Sequence, residues 1–125
     1  REQIQGKVGS FAIWPNAIEQ GRIAGLNMAG KKIFYQGSEV INVLDVFDVP
    51  VITMGYVSDD ILDCEVLSQN TFDTYTKLLL QNNRIVGLQY IGTIRNAGVF
   101  YSYMKNGLDI SNIKNRILDD NFTNM

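Results

Sequence analysis

The sequence predicts an α+β fold in which an antiparallel sheet of about four to five strands is flanked by an N-terminal helix and two C-terminal helices. Residues 14–30 have helical spacing with marked ends, β-branched residues follow a strand pattern from Val40 onward, and helical spacing returns after Asn96. With 125 residues, the chain can bury one core but is small for an enzyme that binds a dinucleotide.

The first helix is predicted at Pro15–Ala29, after a loop and a short extended segment in residues 1–13. Proline suits a first helical position because the N–H that it lacks would have no helical partner there. Gly30 suits the left-handed position just past the helix end. Small residues share one stripe of this helix: Ala17, Gly21, Ala24 and Gly25. Since glycine inside a helix costs about 1 kcal/mol relative to alanine, we expect another backbone to approach this stripe closely.

Residues 31–38 form a polar connector and the best candidate domain boundary. Strands are then predicted in the segments Val40–Phe47, Val49–Tyr56 and Cys64–Leu67, which are rich in β-branched and apolar residues. Pro50 indicates an edge strand or a break, because proline cannot donate a hydrogen bond to a neighbouring strand.

A β-hairpin is predicted at Tyr75–Gln81 and Arg84–Gly92, joined by the turn Asn82-Asn83. Asparagine tolerates the positive φ angles of a type I′ turn. A two-residue loop pairs Gln81 with Arg84, Leu79 with Val86 and Tyr75 with Tyr90. This register predicts one apolar face, interrupted by Lys77, made of Tyr75, Leu79, Val86, Leu88 and Tyr90.

Two helices are predicted after the sheet. The first presents Val99, Phe100, Tyr103 and Met104 at helical spacing and ends at Gly107. The second is capped by Asp109 or Ser111 and presents Ile113, Ile117 and Leu118 on one side.

Composition excludes several classes of function. The net charge of −2 gives no drive toward nucleic acid or anionic membranes, and no apolar run approaches the ~20 residues that span a bilayer. The chain has no histidine and a single cysteine, Cys64, which we interpret as a small residue in a strand. We expect a cytoplasmic protein without a metal site.

No set of side chains predicts catalysis, and we identify no catalytic residue. The acidic pairs Asp59-Asp60 and Asp119-Asp120 are adjacent, so their carboxylates do not converge, and we interpret them as solvated loop residues. Gly6 and Gly9 lack the third glycine and the preceding strand of a phosphate-binding turn. The isolated chain is therefore not expected to bind FAD or NADH.

One position favours negative charge, namely the start of the first helix. Its unpaired N–H groups and the positive end of the helix dipole point outward there. The backbone around Trp14, Asn16 and Ala17 supplies the candidate donors, whereas Pro15 has no N–H and can only shape the turn. The alternative interpretation is that Pro15 simply starts a packing helix.

The run from Trp14 to Gly30 resembles the last helix of the flavin domain in pyridine nucleotide-disulfide oxidoreductases. It is most similar to the branch that contains NADH:rubredoxin reductases and the flavoprotein part of NAD(P)H nitrite reductases. Further segments resemble the C-terminal domain of this branch in order and spacing: Asp45–Phe47 through Met54-Gly55, Tyr75–Leu78, Arg84–Gly87, Ile91-Gly92 and Gly107–Ser111.

The resemblance implies three segments and a set of cofactors. Residues 1–30 would be the tail of a flavin-binding domain, residues 31–38 a connector, and residues 39–125 a C-terminal interface domain. FAD and NAD(P)H would be bound by the longer parent enzyme, where Trp14, Asn16 and Ala17 would face the flavin edge. Electrons would pass to rubredoxin, a nitrite-reducing partner, oxygen or a disulfide.

Partners follow from the same resemblance. The remainder of the flavoenzyme chain is the first of them, and a redox acceptor protein is another. The small-residue stripe also needs a partner, which predicts either a homodimer, with exchange of the first helix as one route, or a helix folded back onto the chain's own sheet. The alternative function is a self-standing, non-catalytic α+β module for protein interaction or dimerisation.

Overall fold

The computed structural model describes residues 2–4, 7–9, 12–37, 40–57, 63–92, 96–119 and 122. The chain divides into two compact units, Arg1–Val40 and Ile41–Met125. The first unit contains an antiparallel pair of short strands, β1 (Glu2–Ile4) and β2 (Lys7–Gly9), where a loop and an extended segment were predicted. Helix α1 (Trp14–Met28) follows them.

The end of α1 has the hydrogen bonds of a Schellman motif. Gly30 has a φ of 88°, its N–H donates to the Asn27 carbonyl, and the Lys31 N–H donates to the Leu26 carbonyl. Beyond this end, the Asn27 side-chain amide bonds both the carbonyl and the N–H of Ile33, at 2.9 and 2.8 Å. The connector after α1 is therefore anchored to the helix.

The described residues of the second unit form a five-stranded antiparallel sheet followed by one α-helix, which confirms the predicted α+β class. The strands are β3 (Ile41–Val46), β4 (Val49–Gly55), β5 (Glu65–Asn70), β6 (Thr74–Gln81) and β7 (Arg84–Gly92). Their order across the sheet is β3-β4-β7-β6-β5. Helix α2 (Ala97–Lys105) ends, as predicted, just before Gly107, which has a φ of 57°.

The core lies on one face of this sheet. Its buried members come from the three central strands, from α2 and from the segment after it: Ile52, Met54, Leu78, Leu80, Ile85, Leu88, Tyr90, Ala97, Phe100, Ile110 and Ile117. Leu78 and Ile110 have no exposed surface. Burial of these apolar side chains supplies the main stabilising free energy of the unit.

The second predicted C-terminal helix is wrong, because residues 111–118 form successive turns. Their backbone hydrogen bonds span three residues, from Ile113 to Ile110 and from Arg116 to Ile113, rather than the four of an α-helix. Asp109 does anchor the start of this segment by accepting the Ser111 N–H at 2.8 Å. Hydrogen bonds from the Ser111 side chain and backbone lower the pKa of the Asp109 carboxyl.

The hairpin of β6 and β7 has the predicted turn but a different register. Asn82 and Asn83 have φ angles of 51° and 58°, and Gln81 pairs with Arg84 as predicted. A β-bulge then intervenes, so that Leu79 pairs with Gly87 instead of Val86. Because side chains alternate between faces, this one-residue shift turns the rest of β7 over relative to β6.

The predicted apolar face of the hairpin is consequently wrong. Leu88 pairs with Leu78, and Tyr90 pairs with Thr76, on the core face. Leu79 is buried on the opposite face, where Tyr75 also lies because it pairs with Ile91. The core thus includes Leu78, which the predicted register assigned to the other side of the sheet.

The bulge coincides with a close crossing of two backbones. The Tyr56 N–H donates to the Val86 carbonyl at 3.0 Å. A Cβ atom on Gly87 would lie 1.9 Å from the Tyr56 carbonyl oxygen, and one on Gly55 would lie 2.3 Å from the Val86 oxygen. Glycine at both positions is what allows the chain leaving β4 to cross β7.

Pro50 lies in β4, between β3 and β7, so the predicted edge strand or break is wrong. Pro50 pairs with Asp45 of β3, but the pairing of β4 with β7 begins only at Val51. The proline therefore has a strand neighbour on one side alone, which makes its missing N–H tolerable.

We expect Gly87→Ala to lower the free energy of unfolding by more than about 2 kcal/mol, because the new methyl group meets the Tyr56 backbone. Gly98→Ala in α2 is the matched control. A Cβ there meets nothing within 4 Å, so this change should raise stability by up to about 1 kcal/mol. Urea unfolding of the two variants measures both effects, and equal stability of Gly87→Ala and the parent sequence would contradict the crossing.

Candidate functional site

The start of α1 is built mainly by backbone groups. Ile13 precedes the helix in an extended conformation, with φ −115° and ψ 150°, and makes no side-chain capping bond. Pro15 lies in the first turn, which contains no acidic residue. This helix start thus presents positive dipole charge without a carboxylate of its own to neutralise it.

The three candidate donor residues differ in their surroundings. The Trp14 side chain is 79% exposed, whereas Asn16 is buried and takes part in an interaction of its own. The Ala17 N–H donates to the Ile13 carbonyl at 3.2 Å, which closes the first helical turn. Ala17 can therefore serve a ligand only as a shared donor, and Trp14 and Asn16 carry the amides that precede the first helical bond.

The small-residue stripe of α1 has open space beside it. A Cβ atom on Gly21 or Gly25 would meet no atom within 4 Å, and Ala17 and Ala24 are exposed. The expected close approach of another backbone is therefore not made at these two glycines. The buried residues of the helix are Asn16 and Ile23, which lie outside the stripe.

The second unit contains a small cavity beside its core. Its volume is about 30 Å³, and its lining is partly polar: Gln69, Thr74, Thr76, Tyr90, Asn96, Phe100, Ile117, Leu118 and Asp119. This volume suits a single water molecule rather than an organic substrate. Within the described residues, every buried side-chain nitrogen or oxygen atom has a hydrogen-bond partner, so this cavity does not demand a ligand.

In the described part of the chain, the titratable side chains do not cluster into a candidate catalytic or metal-binding group. Cys64 is a free, half-buried thiol just before β5. No three histidine, cysteine or acidic residues come together as a metal site among the described residues. Asp59, Asp60 and Asp120 of the predicted solvated pairs lie outside those residues. No described helix is both long enough and apolar enough to cross a bilayer.

The structure also exposes Phe47, which was predicted at the end of a strand but lies in a turn, and Phe72, which no sequence pattern singled out. Phe47 and Phe72 occupy turns of the sheet, and both side chains are almost completely exposed. The sequence gives only a weak indication of this exposure, because each phenylalanine has an aspartate directly after it in a short polar connection.

The second unit is an α+β domain that follows helix α1 in the chain. A comparison with known protein families identifies the family of this domain. The family described as "Rubredoxin NAD+ reductase C-terminal domain" matches residues 41–108, which is more than half of the chain. The chain belongs to this family. The match lies within the second unit and includes all five strands of its sheet and helix α2.

Two solved structures share the fold. An NAD-dependent persulfide reductase from A. fulgidus is 21% identical, with a TM-score of 0.67 over 85% of this chain and 23% of its own chain. An NADH:rubredoxin oxidoreductase from Clostridium acetobutylicum is 23% identical, with a TM-score of 0.62 over 87% and 28% of the two chains. Both alignments must include part of residues 1–40, because residues 41–125 alone could not account for this coverage.

The chain spans only about a quarter of each of these two proteins. A comparison with curated proteins found no match. The similarity to the solved structures establishes the fold, and the family match establishes membership.

We expect Gly21→Ala and Gly25→Ala to stabilise α1 of this chain by up to about 1 kcal/mol each, since an added methyl group meets nothing within 4 Å. Hydrogen exchange of the amides in residues 17–28 measures the local stability of the helix. Faster exchange in either variant would show that the stripe is packed in solution.

Proposed function

We propose that this chain is the C-terminal part of an NAD(P)H-dependent FAD oxidoreductase that passes electrons to rubredoxin, a nitrite-reducing partner, oxygen or a disulfide. The observation that carries this proposal is the family match over residues 41–108. The chain on its own is not catalytically competent, because the dinucleotide-binding folds belong to the remainder of the parent enzyme. In this proposal, residues 1–30 are the tail of the flavin-binding domain, residues 31–38 the connector and residues 39–125 the interface domain.

The helix start supports a role at the flavin edge. A flavin gains negative charge on its pyrimidine edge when it is reduced, and amide donors with a helix dipole stabilise such charge. Trp14 and Asn16 provide the backbone for this contact, and Ala17 adds a donor that is shared with Ile13. The absence of an acidic residue in the first turn is consistent with a negatively charged neighbour.

The second face of the sheet supports the interface role. The strand register places five exposed apolar side chains on the face opposite the core: Leu44, Val46, Val49, Val66 and Ile91. Four of them, all but Val66, lie together at one end of β3, β4 and β7. Such a group of exposed apolar side chains is typical of protein–protein or domain–domain contacts. We assign this face to the remainder of the parent chain, since relatives of this fold are about four times as long as the segment they share with it.

The parent protein should contain FAD, and its flavin absorbance should be bleached by NADH under anaerobic conditions. The measurement is the visible spectrum of the full-length gene product before and after addition of NADH, with NADPH compared at the same concentration. A purified full-length product without flavin, which also fails to take up added FAD, would refute the proposal.

We expect Ala17→Asp in the parent enzyme to lower the reduction potential of the flavin, because a carboxylate at the helix start opposes the charge gained on reduction. A helix-terminus effect of up to about 1 kcal/mol corresponds to about 20 mV for a two-electron couple. Ala24→Asp, in the middle of the same exposed stripe, is the matched control and should shift the potential much less. Equal shifts in the two variants would show that the flavin does not lie at the helix start.

The homodimer, with exchange of α1 as one route, is a subsidiary proposal that rests on the open stripe. Gly21 and Gly25 offer room for a second helix at close range. Light scattering of this 14.1 kDa chain distinguishes one copy from two.

A further inference from the structure

Two exposed phenylalanines lie at the same end of the five-stranded sheet. Phe47 occupies the β3–β4 turn, and Phe72 occupies the β5–β6 connection. The register places both connections at the end where β7 finishes, since Ile91 pairs with Val51 of β4 and Gly92 with Thr74 of β6. Three strand spacings separate the two turns, which is about 14 Å.

The β3–β4 turn holds Phe47 in a conformation that phenylalanine rarely adopts. Its φ angle is 53° and that of Asp48 is 63°, as in a type I′ turn, where asparagine and glycine are the usual residues. The Asp45 carboxylate accepts the Asp48 N–H at 2.9 Å and braces the turn. Phe47 is 97% exposed there, so it gains no burial that would offset the backbone strain.

The β5–β6 connection is braced in a similar way around Phe72. The Thr71 N–H donates to the Thr74 carbonyl at 2.9 Å, and the Thr71 hydroxyl accepts the Thr74 N–H at 3.1 Å. The same hydroxyl lies 3.1 Å from an Asp73 carboxylate oxygen. On β7, Gly92 permits the close approach of this connection, because a Cβ there would lie 2.1 Å from the Asp73 carbonyl oxygen.

Both turns are acidic. Asp45 and Asp48 flank Phe47, Asp73 follows Phe72, and all three aspartates are exposed. The sequence from Ile33 to Thr76 contains no lysine or arginine, although the whole chain has eleven of them. The two turns themselves therefore carry three exposed carboxylates and no basic side chain.

We propose that an aromatic rim, defined as Phe47, Phe72, Asp45, Asp48 and Asp73, docks a separate protein that presents lysine or arginine side chains around two apolar pockets. Aromatic side chains are efficient anchors, and because the backbone of both turns is already braced, binding need not order it. Exposed carboxylates around them steer and orient a basic partner. This rim lies within the second unit, and the proposal does not depend on a flavin.

Titration of the isotope-labelled 125-residue chain with two short peptides of equal length tests the charge and the anchors together. One peptide alternates lysine with leucine, and the other alternates glutamate with leucine. The lysine peptide should shift the amide resonances of residues 45–49 and 70–74 and should bind more weakly as salt is raised. The glutamate peptide should not bind there.

Variants identify the groups that bind. The double change Phe47→Asn and Phe72→Ala should weaken the lysine peptide about tenfold, which is the loss expected for two anchors. Asparagine accepts the positive φ at position 47, so this variant should keep or raise the denaturation midpoint. Phe34→Ala is the matched control, since Phe34 is 83% exposed in the first unit. Asp48→Asn with Asp73→Asn should reduce the salt dependence.

Three results would overturn the proposal. The first is absence of binding at millimolar peptide, and the second is equal binding of the lysine and glutamate peptides at the rim. The third is an effect of Phe34→Ala as large as that of the rim variants. A parent protein without flavin would refute the proposed function, but it would leave the proposal for the aromatic rim untouched.

Discussion

The close crossing of the chain over Gly87 is the constraint on which the second unit depends. The Tyr56 N–H bonds the Val86 carbonyl there, and neither Gly55 nor Gly87 could carry a side chain without a clash. A β-bulge in the hairpin of β6 and β7 lies at the same place, and it decides which side chains of these two strands share a face. With the bulge, Leu78 and Leu88 meet on the core face, so the register of this hairpin sets the composition of the core.

The same register divides the surface of the sheet into parts with different chemistry. The core face is covered by α2 and by the turns after it, whereas the opposite face exposes valine, leucine and isoleucine side chains. The end of the sheet near Gly92 differs again, because it combines exposed phenylalanines with aspartates. The described part of the sheet therefore has two exposed surfaces of different chemistry, one apolar and one that combines aromatic and acidic side chains.

The first unit has the opposite character, since its helix is mostly exposed. Only Asn16 and Ile23 of α1 are buried, and the glycine stripe has free space beside it. A helix with two internal glycines and few buried residues gains little stability from packing. Its amides at the start and its small residues along one side are instead available for contacts outside the described chain, as the proposed function requires.

Local backbone chemistry let the sequence alone determine the bounds of α1, the end of α2 and the turn between β6 and β7. Pro15 and Gly30 mark α1 to within one residue, the Asn82-Asn83 turn forms with positive φ angles, and Gly107 follows the end of α2. These features depend on a few adjacent residues, as does the resemblance carried by the Trp14–Gly30 run. The class of fold followed from the same periodicities.

Only the tertiary structure decided the register, the covering of the core and the exposure of the rim. The bulge lies where Val86 bonds Tyr56, thirty residues away along the chain, and no local pattern contains this contact. Residues 111–118 form turns rather than the predicted helix and bury Ile117 completely against the sheet. Phe47 is apolar, so its side chain would be expected in the core, yet it lies in a turn that exposes it to solvent. Burial here depends on where the β3–β4 strand pair lies in the fold rather than on the type of residue.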